Sequence, residues 1–119
     1  MLVNYSYHIW YKVCKVVRIK YKLSTNALLV LHGAYLYYTI LNKSFTRFNL
    51  QNFVTYYNHV KIKYFVELLI SKGYLIESGN YKGHLLYCIS ELGLQVINDL
   101  NKSYQEQLYI FCNKYSIEL

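Results

Sequence analysis

The chain has 119 residues, 55% of them hydrophobic, and a net charge of +7. That excludes a disordered polyelectrolyte and leaves room for one domain with a sizeable core. The charge is uneven: residues 1–66 carry nine cations and no acid, whereas residues 67–119 carry four cations and six acids. Such a basic field suits a polyanion, nucleic acid before an anionic membrane surface, or else serves to keep a chain with 16 tyrosines soluble.

Residues 5–20 carry two readings. Ile9, Val13, Val16, Val17 and Lys20 share a helical face, while RIKYKL (18–23) alternates like a strand. We favour a helix to about Lys20. Lys12, Lys15 and Arg18 lie on its other side and either flank a polyanion or solvate an exposed face. Asn4, Ser6, His8 and Lys12 interrupt the N-terminus before any apolar signal-peptide core forms.

Ser24 or Thr25 can cap the next helix, in which Leu28, Leu31, Tyr35, Tyr38 and Leu41 recur at three and four before an end near Asn42. Residues 23–42 lack charge and match a membrane span in length. Ser24, Thr25, Asn26, His32, Gly33 and Thr39 make them a buried helix of a cytoplasmic protein instead. His32 reads as a satisfied core residue. SFTRF (44–48) is short and alternating, which predicts a brief strand. Asn49 then caps a short helix with Leu50, Phe53, Val54 and Tyr57 on its face.

Asn58 can cap again, and Ile62, Phe65, Val66, Leu69 and Ile70 follow at i, i+3, i+4, i+7 and i+8, a clean helical face. Lys72 suits the last turn and Gly73 the left-handed position that ends a helix. YLIES and HLLYCIS, joined by a turn at SGNYKG (78–83), predict a hairpin over residues 74–90. Ser90 caps a last long helix. Its stripe of Ile97, Leu100, Tyr104, Leu108, Phe111 and Tyr115 either seats a second copy of the chain, packs on the N-terminal helix, or does both.

The fold class this order implies is mainly α with a small β-hairpin wing. It is a winged helix-turn-helix with N- and C-terminal dimerisation helices. All of residues 1–119 form one domain, with a winged-helix core at 24–90 and dimerisation helices at 1–22 and 91–119. Within it, KIKYFVELLISKGYLIE (61–77) and ISELG (89–93) resemble the MarR-like regulators, including their shorter SarA-type relatives. The first piece is similar to that family's recognition helix running into L-x-x-K-G-[LY]-[IV]. The second is similar to the [LI]-[ST]-E-x-G that opens its last helix. Gly93, one turn into a helix, costs about 1 kcal/mol against alanine and implies a close backbone approach there. The hairpin ESGNYKGHLLY departs from the family in being short and lacking the arginine that enters the minor groove. Only Lys82 and His84 stand where that role is filled.

The resemblance implies a homodimeric, sequence-specific double-stranded DNA-binding protein that regulates transcription. A recognition helix places its first residues against base edges, here Asn58, His59, Lys61, Lys63 and Tyr64. Lysines in a first turn cost ~0.3–1 kcal/mol each against the helix dipole, a balance that a bound phosphate reverses. Arg47 and Lys43 are further phosphate contacts, and Lys82 is the wing contact. A small-molecule effector is possible, though no residue pattern carries one. The alternative on the same fold is a protein-interaction module that does not bind DNA.

Enzymatic chemistry finds no support. Asp99 is the only aspartate, the glutamates are scattered, and no nucleophile–base spacing or phosphate-cradling loop occurs. Cys14, Cys88 and Cys112 are odd in number and fit a reducing cytosol, with neither metal nor cofactor.

Overall fold

The computed structural model describes residues 3–42, 44–54 and 57–118, and side chains there except at 3–7 and 59. Five helices and one hairpin follow in the order α1 (Val3–Tyr21), α2 (Thr25–Leu41), α3 (Arg47–Phe53), α4 (His59–Ser71), β1 (Leu75–Tyr81), β2 (His84–Ile89) and α5 (Glu91–Lys114). The protein is thus mainly helical with a two-stranded antiparallel sheet. Lys43 and the side chain of His59, both expected to contact DNA, lie outside the described residues.

α1 is helical through the stretch that alternates like a strand. Ile9, Val13 and Val17 are buried and Cys14 lies beside them. Val16, expected on the same face, is 59% exposed. At 100° per residue it points about a quarter turn off the core direction. α1 packs antiparallel on α5. His8 meets Phe111 at 5.6 Å between ring centroids and Trp10 meets Tyr104 at 5.2 Å. At the other end Lys20 Nζ lies 2.7 Å from an Asp99 carboxylate oxygen that also accepts a hydrogen bond from the Tyr21 hydroxyl. This paired arm lengthens the molecule to 54 Å against 26 and 24 Å across.

The stripe on α5 is engaged by the chain's own core. Ile97, Leu100 and Leu108 are buried, Tyr104 and Phe111 pack against the same core partly buried, and only Tyr115 is exposed. No helix among the described residues is long and apolar enough to cross a membrane.

α2 is the central helix, capped by Ser24, whose Oγ accepts from the Ala27 N–H at 3.1 Å. Its burial runs through Ala27, Leu28, Val30, Leu31, Gly33, Ala34 and Tyr37, whereas Tyr38 and Leu41 are exposed and Tyr35 is half-buried. The expected stripe of large residues is therefore wrong beyond Leu31. Neighbours approach α2 along its small residues: a Cβ on Gly33 would overlap the buried Val54 side chain.

Two expectations fail before α3. The strand at 44–48 reduces to one bridge, Phe45 with Tyr87, and Thr46, not Asn49, caps the helix. The cause is a reciprocal pair of bonds. Thr46 Oγ1 accepts from the Asn49 N–H at 3.1 Å, and Asn49 Oδ1 accepts from the Thr46 N–H at 3.0 Å. Both orphan donors are met only if the helix starts at Arg47, which cuts the strand short.

α4 begins as expected, with Asn58 Oδ1 accepting from the Lys61 N–H at 3.0 Å. Ile62, Phe65, Val66 and Leu69 are buried. The helix closes on Gly73 at φ +81°. The Gly73 and Tyr74 N–H groups return to the carbonyls of Ile70 and Leu69, both at 2.9 Å. The hairpin turn is tighter than SGNYKG. Both strands run to the two residues Lys82 (φ +51°) and Gly83 (φ +84°), the geometry of a two-residue turn that matches strand twist. Gly79 and Asn80 lie within β1, beside a bulge after Glu77.

Ser90 joins this hairpin to both helices. Its Oγ accepts from the Gly93 N–H and donates to the Gly73 carbonyl, while its own N–H donates to the Tyr74 carbonyl at 3.1 Å. A Cβ on Gly93 would run into that Tyr74 oxygen and the Ile89 side chain.

Gly93→Ala is therefore expected to lower unfolding stability by about 1–3 kcal/mol in urea titration. Gly79→Ala, whose Cβ meets only ordinary contact, stays within about 0.5 kcal/mol of the parent; equal stability of the two variants would refute the close approach. The Asp99 carboxyl is held below the usual carboxylate range, first by its hydrogen bond from Lys20 and then by that from Tyr21. A depressed carboxyl stabilises the fold above its unfolded pKa, and the benefit is lost as pH falls through the folded value. Asp99→Asn should thus melt below the parent at pH 7, with the gap closing on acidification below about pH 4.

Candidate nucleic-acid interface

α4 shows one face to the core and one to solvent. Counting 100° per residue from Ile62, the outward centre is Val60, Tyr64, Glu67 and Ser71, with Lys61 and Lys63 on opposite flanks about 160° apart. Val60 and Tyr64 are 63% and 61% exposed, and both lysines are exposed. No acid occupies the first turn. The sequence singled out the lysines and Tyr64 but missed Val60 and Glu67. The helical period contained that information, because the buried face at Ile62, Phe65, Val66 and Leu69 defines the opposite one.

The other candidates divide by position. The Asn58 Oδ1 is committed to the helix cap, so a two-bond pairing with adenine is not open to it as placed. Arg47 opens α3, Lys63 lies on the near flank of α4, and His84 starts β2. These three border one cleft of 300 Å³ together with Glu67, Phe48 and Tyr87. The His84 ring stands edge-on to Phe48, with centroids 5.4 Å apart. Among the described residues neither Arg47 nor Lys63 has an ion-pair partner, the one ion pair being Lys20–Asp99. Burial pushes the Tyr87 phenol up; Arg47 pulls it the other way, and Glu77 and Glu67 add to the rise. Charges of both signs therefore act at the cleft floor.

Lys82 sits in the hairpin turn with its ammonium 5.3 Å from the Tyr81 ring centroid. A Gly83 N–H···Asn80 Oδ1 bond of 3.1 Å braces the turn. The hairpin thus presents one lysine in its turn and one histidine immediately after it, paired with Tyr81.

A larger, mostly apolar cavity of 440 Å³ opens between α1 and α2, lined by Trp10, Cys14, Leu28, Leu29, His32 and Leu100 and bordered by Lys15 and Arg18. His32, expected as a core residue, is half-buried on this wall with its ring 5.7 Å from Trp10. Burial lowers its pKa. Burial also raises that of the Cys14 thiol, with the Arg18 charge opposing. Among the described residues no three His, Cys, Asp or Glu side chains converge to hold a metal, and the three cysteines are free thiols.

Comparison of the chain with family models, curated proteins and solved structures finds no match.

Proposed function

We propose that the chain is a winged helix-turn-helix protein that binds double-stranded DNA as a homodimer and regulates transcription. In this reading α3 and α4 form the helix-turn-helix, α4 is the recognition helix, and β1–β2 is the wing. One observation carries it: α4 offers an outward face with a lysine on each flank, beside a cleft bordered by Arg47 and His84. The major groove is about 12 Å wide and admits a helix between two phosphate walls. A helix with cations on both flanks fits that cross-section, whereas a protein partner has no general need for two.

The lysines accordingly act on phosphates, and the centre of the face acts on bases. Val60 offers an apolar contact, Tyr64 a ring and a hydroxyl, and Glu67 a hydrogen-bond acceptor. Self-association draws on what the α1–α5 pairing leaves exposed, namely Tyr109, Ile110 and Tyr115, and sets two recognition helices about 34 Å apart on one side of the duplex.

The protein-interaction reading keeps one observation in its favour. Ile40, Leu41, Phe48 and Phe53 are large apolar side chains exposed to solvent, more than DNA binding calls for.

Fluorescence polarisation on a labelled random duplex separates the two. Binding should weaken steeply between 50 and 200 mM salt. Lys61→Ala/Lys63→Ala should reduce affinity at least about tenfold and lower the salt slope by roughly two, with an unchanged circular dichroism spectrum. Unchanged affinity in the double variant sinks the assignment of α4, and no binding at low salt favours the protein-interaction module.

A further inference from the structure

The cleft between α3, α4 and the hairpin raises a question that the lysine flanks leave open. Its basic side chains come from three separate elements. Arg47 is the first residue of α3, Lys63 lies one turn into α4, and His84 follows the hairpin turn. They are distant in sequence, and the fold alone brings them to one space of 300 Å³, roughly the share of ten waters in the liquid. Thr46 also borders this space, its Oγ1 accepting from the Asn49 N–H in the cap of α3.

Resting on the DNA reading above, we propose that this cleft seats one backbone phosphodiester, held by Arg47, Lys63 and the imidazolium of His84, so that DNA binding takes up a proton at His84. The groups that face His84 decide the sign. Arg47 from α3 and Lys63 from α4 oppose a further positive charge there, as does Lys82, which lies outside the cleft in the adjoining turn with its ammonium over Tyr81. Glu67 from α4 favours it. Tyr81 is the cross-strand partner of His84, and Tyr87 also borders the cleft, its phenol pushed up by burial.

A phosphodiester in the cleft places a negative charge beside the ring and accepts a hydrogen bond from it. The bound state therefore favours the imidazolium more than the free state does. By linkage, affinity then rises as pH falls through the range in which histidine side chains titrate. The edge-on Phe48 ring at 5.4 Å holds the imidazole plane in place. A hairpin without an arginine thus engages DNA beside its turn through a phosphate, and needs no side chain in the minor groove.

The test is polarisation of a labelled duplex at constant ionic strength between pH 6.0 and 8.0. Wild-type protein should bind about three- to tenfold more tightly at pH 6.0, up to tenfold for each unit of pKa difference between free and bound states. His84→Gln should flatten this gradient to less than about twofold between pH 6.0 and 8.0, whatever its affinity at pH 8.0. His8→Gln, on the α1–α5 arm, should keep the gradient. A gradient of wild-type size in His84→Gln, or none in the wild type, overturns the phosphate seat and leaves the DNA reading standing. Absence of duplex binding at both pH values overturns both. Inorganic phosphate added at equal ionic strength should leave the duplex bound; its displacement at low millimolar phosphate would assign the cleft to a free anion instead.

Discussion

Ser90 ties the end of α4 to the beginning of α5. Its hydroxyl accepts from Gly93 and donates to the Gly73 carbonyl, and its N–H reaches Tyr74. Three backbone segments meet at this point, and Gly93 is there because a side chain would occupy the space of the Tyr74 oxygen. The consequence reaches the candidate interface. The hairpin leaves α4 at Gly73 and returns at Ser90, so the junction sets the direction in which β1 and β2 project. Phe45 supplies the second anchor. It is fully buried, exchanges two backbone hydrogen bonds with Tyr87, and so docks the segment before α3 onto β2. With both in place, Arg47, Lys63 and His84 border one cleft although 37 residues of chain separate the first from the last.

Local chemistry was legible where a single side chain or glycine does the work alone. Asn58 and Ser90 cap the helices the sequence assigns them, Ser24 rather than Thr25 caps α2, and Gly73 and Gly93 stand where a left-handed turn and a close approach require them. Legibility ended where two partners compete. Asn49 is a good cap taken singly, but Thr46 three residues earlier makes a reciprocal pair with it and wins. The hairpin turn was read too wide because Gly79 and Asn80 look like turn residues. The pair Lys82–Gly83 closes the hairpin in two residues, and Asn80 serves as a brace from within the strand. α2 escaped for another reason. A stripe of large residues marks a helix with one neighbour, whereas α2 is buried along its small residues and packs against several elements.

The candidate site was half visible in the same way. The cation bias toward residues 1–66 and the lysines of α4 are matters of composition and need no fold. That Lys61 and Lys63 flank a face rather than lie on it follows from helical period once the buried side is known. The cleft lay beyond reach, because it depends on α3 starting at Arg47 and on a turn that places His84 first in β2. The sequence reading started α3 too late, although it began the second strand at His84, as the structure does. The aromatic stripe of α5 shows the converse. Its pattern was correct, but its partner is chiefly α1 of the same chain.

Under the DNA reading, Glu67 is the informative residue at the interface. A carboxylate at the outward centre of a helix facing phosphates weakens binding to any sequence, and the long-range attraction of the lysines is what it opposes. In the major groove its acceptor oxygens match one base-edge donor well, the cytosine amino group, and meet repulsion from the acceptors of guanine and thymine. Lys63 lies one turn back on the same helix, on the phosphate flank. The pair therefore separates two tasks along four residues: Lys63 supplies attraction without regard to sequence, and Glu67 makes that attraction conditional on the base beneath it. A face built only of lysines would bind more strongly and discriminate less. Discrimination by an opposing charge is the way a basic protein avoids being held by every duplex it meets.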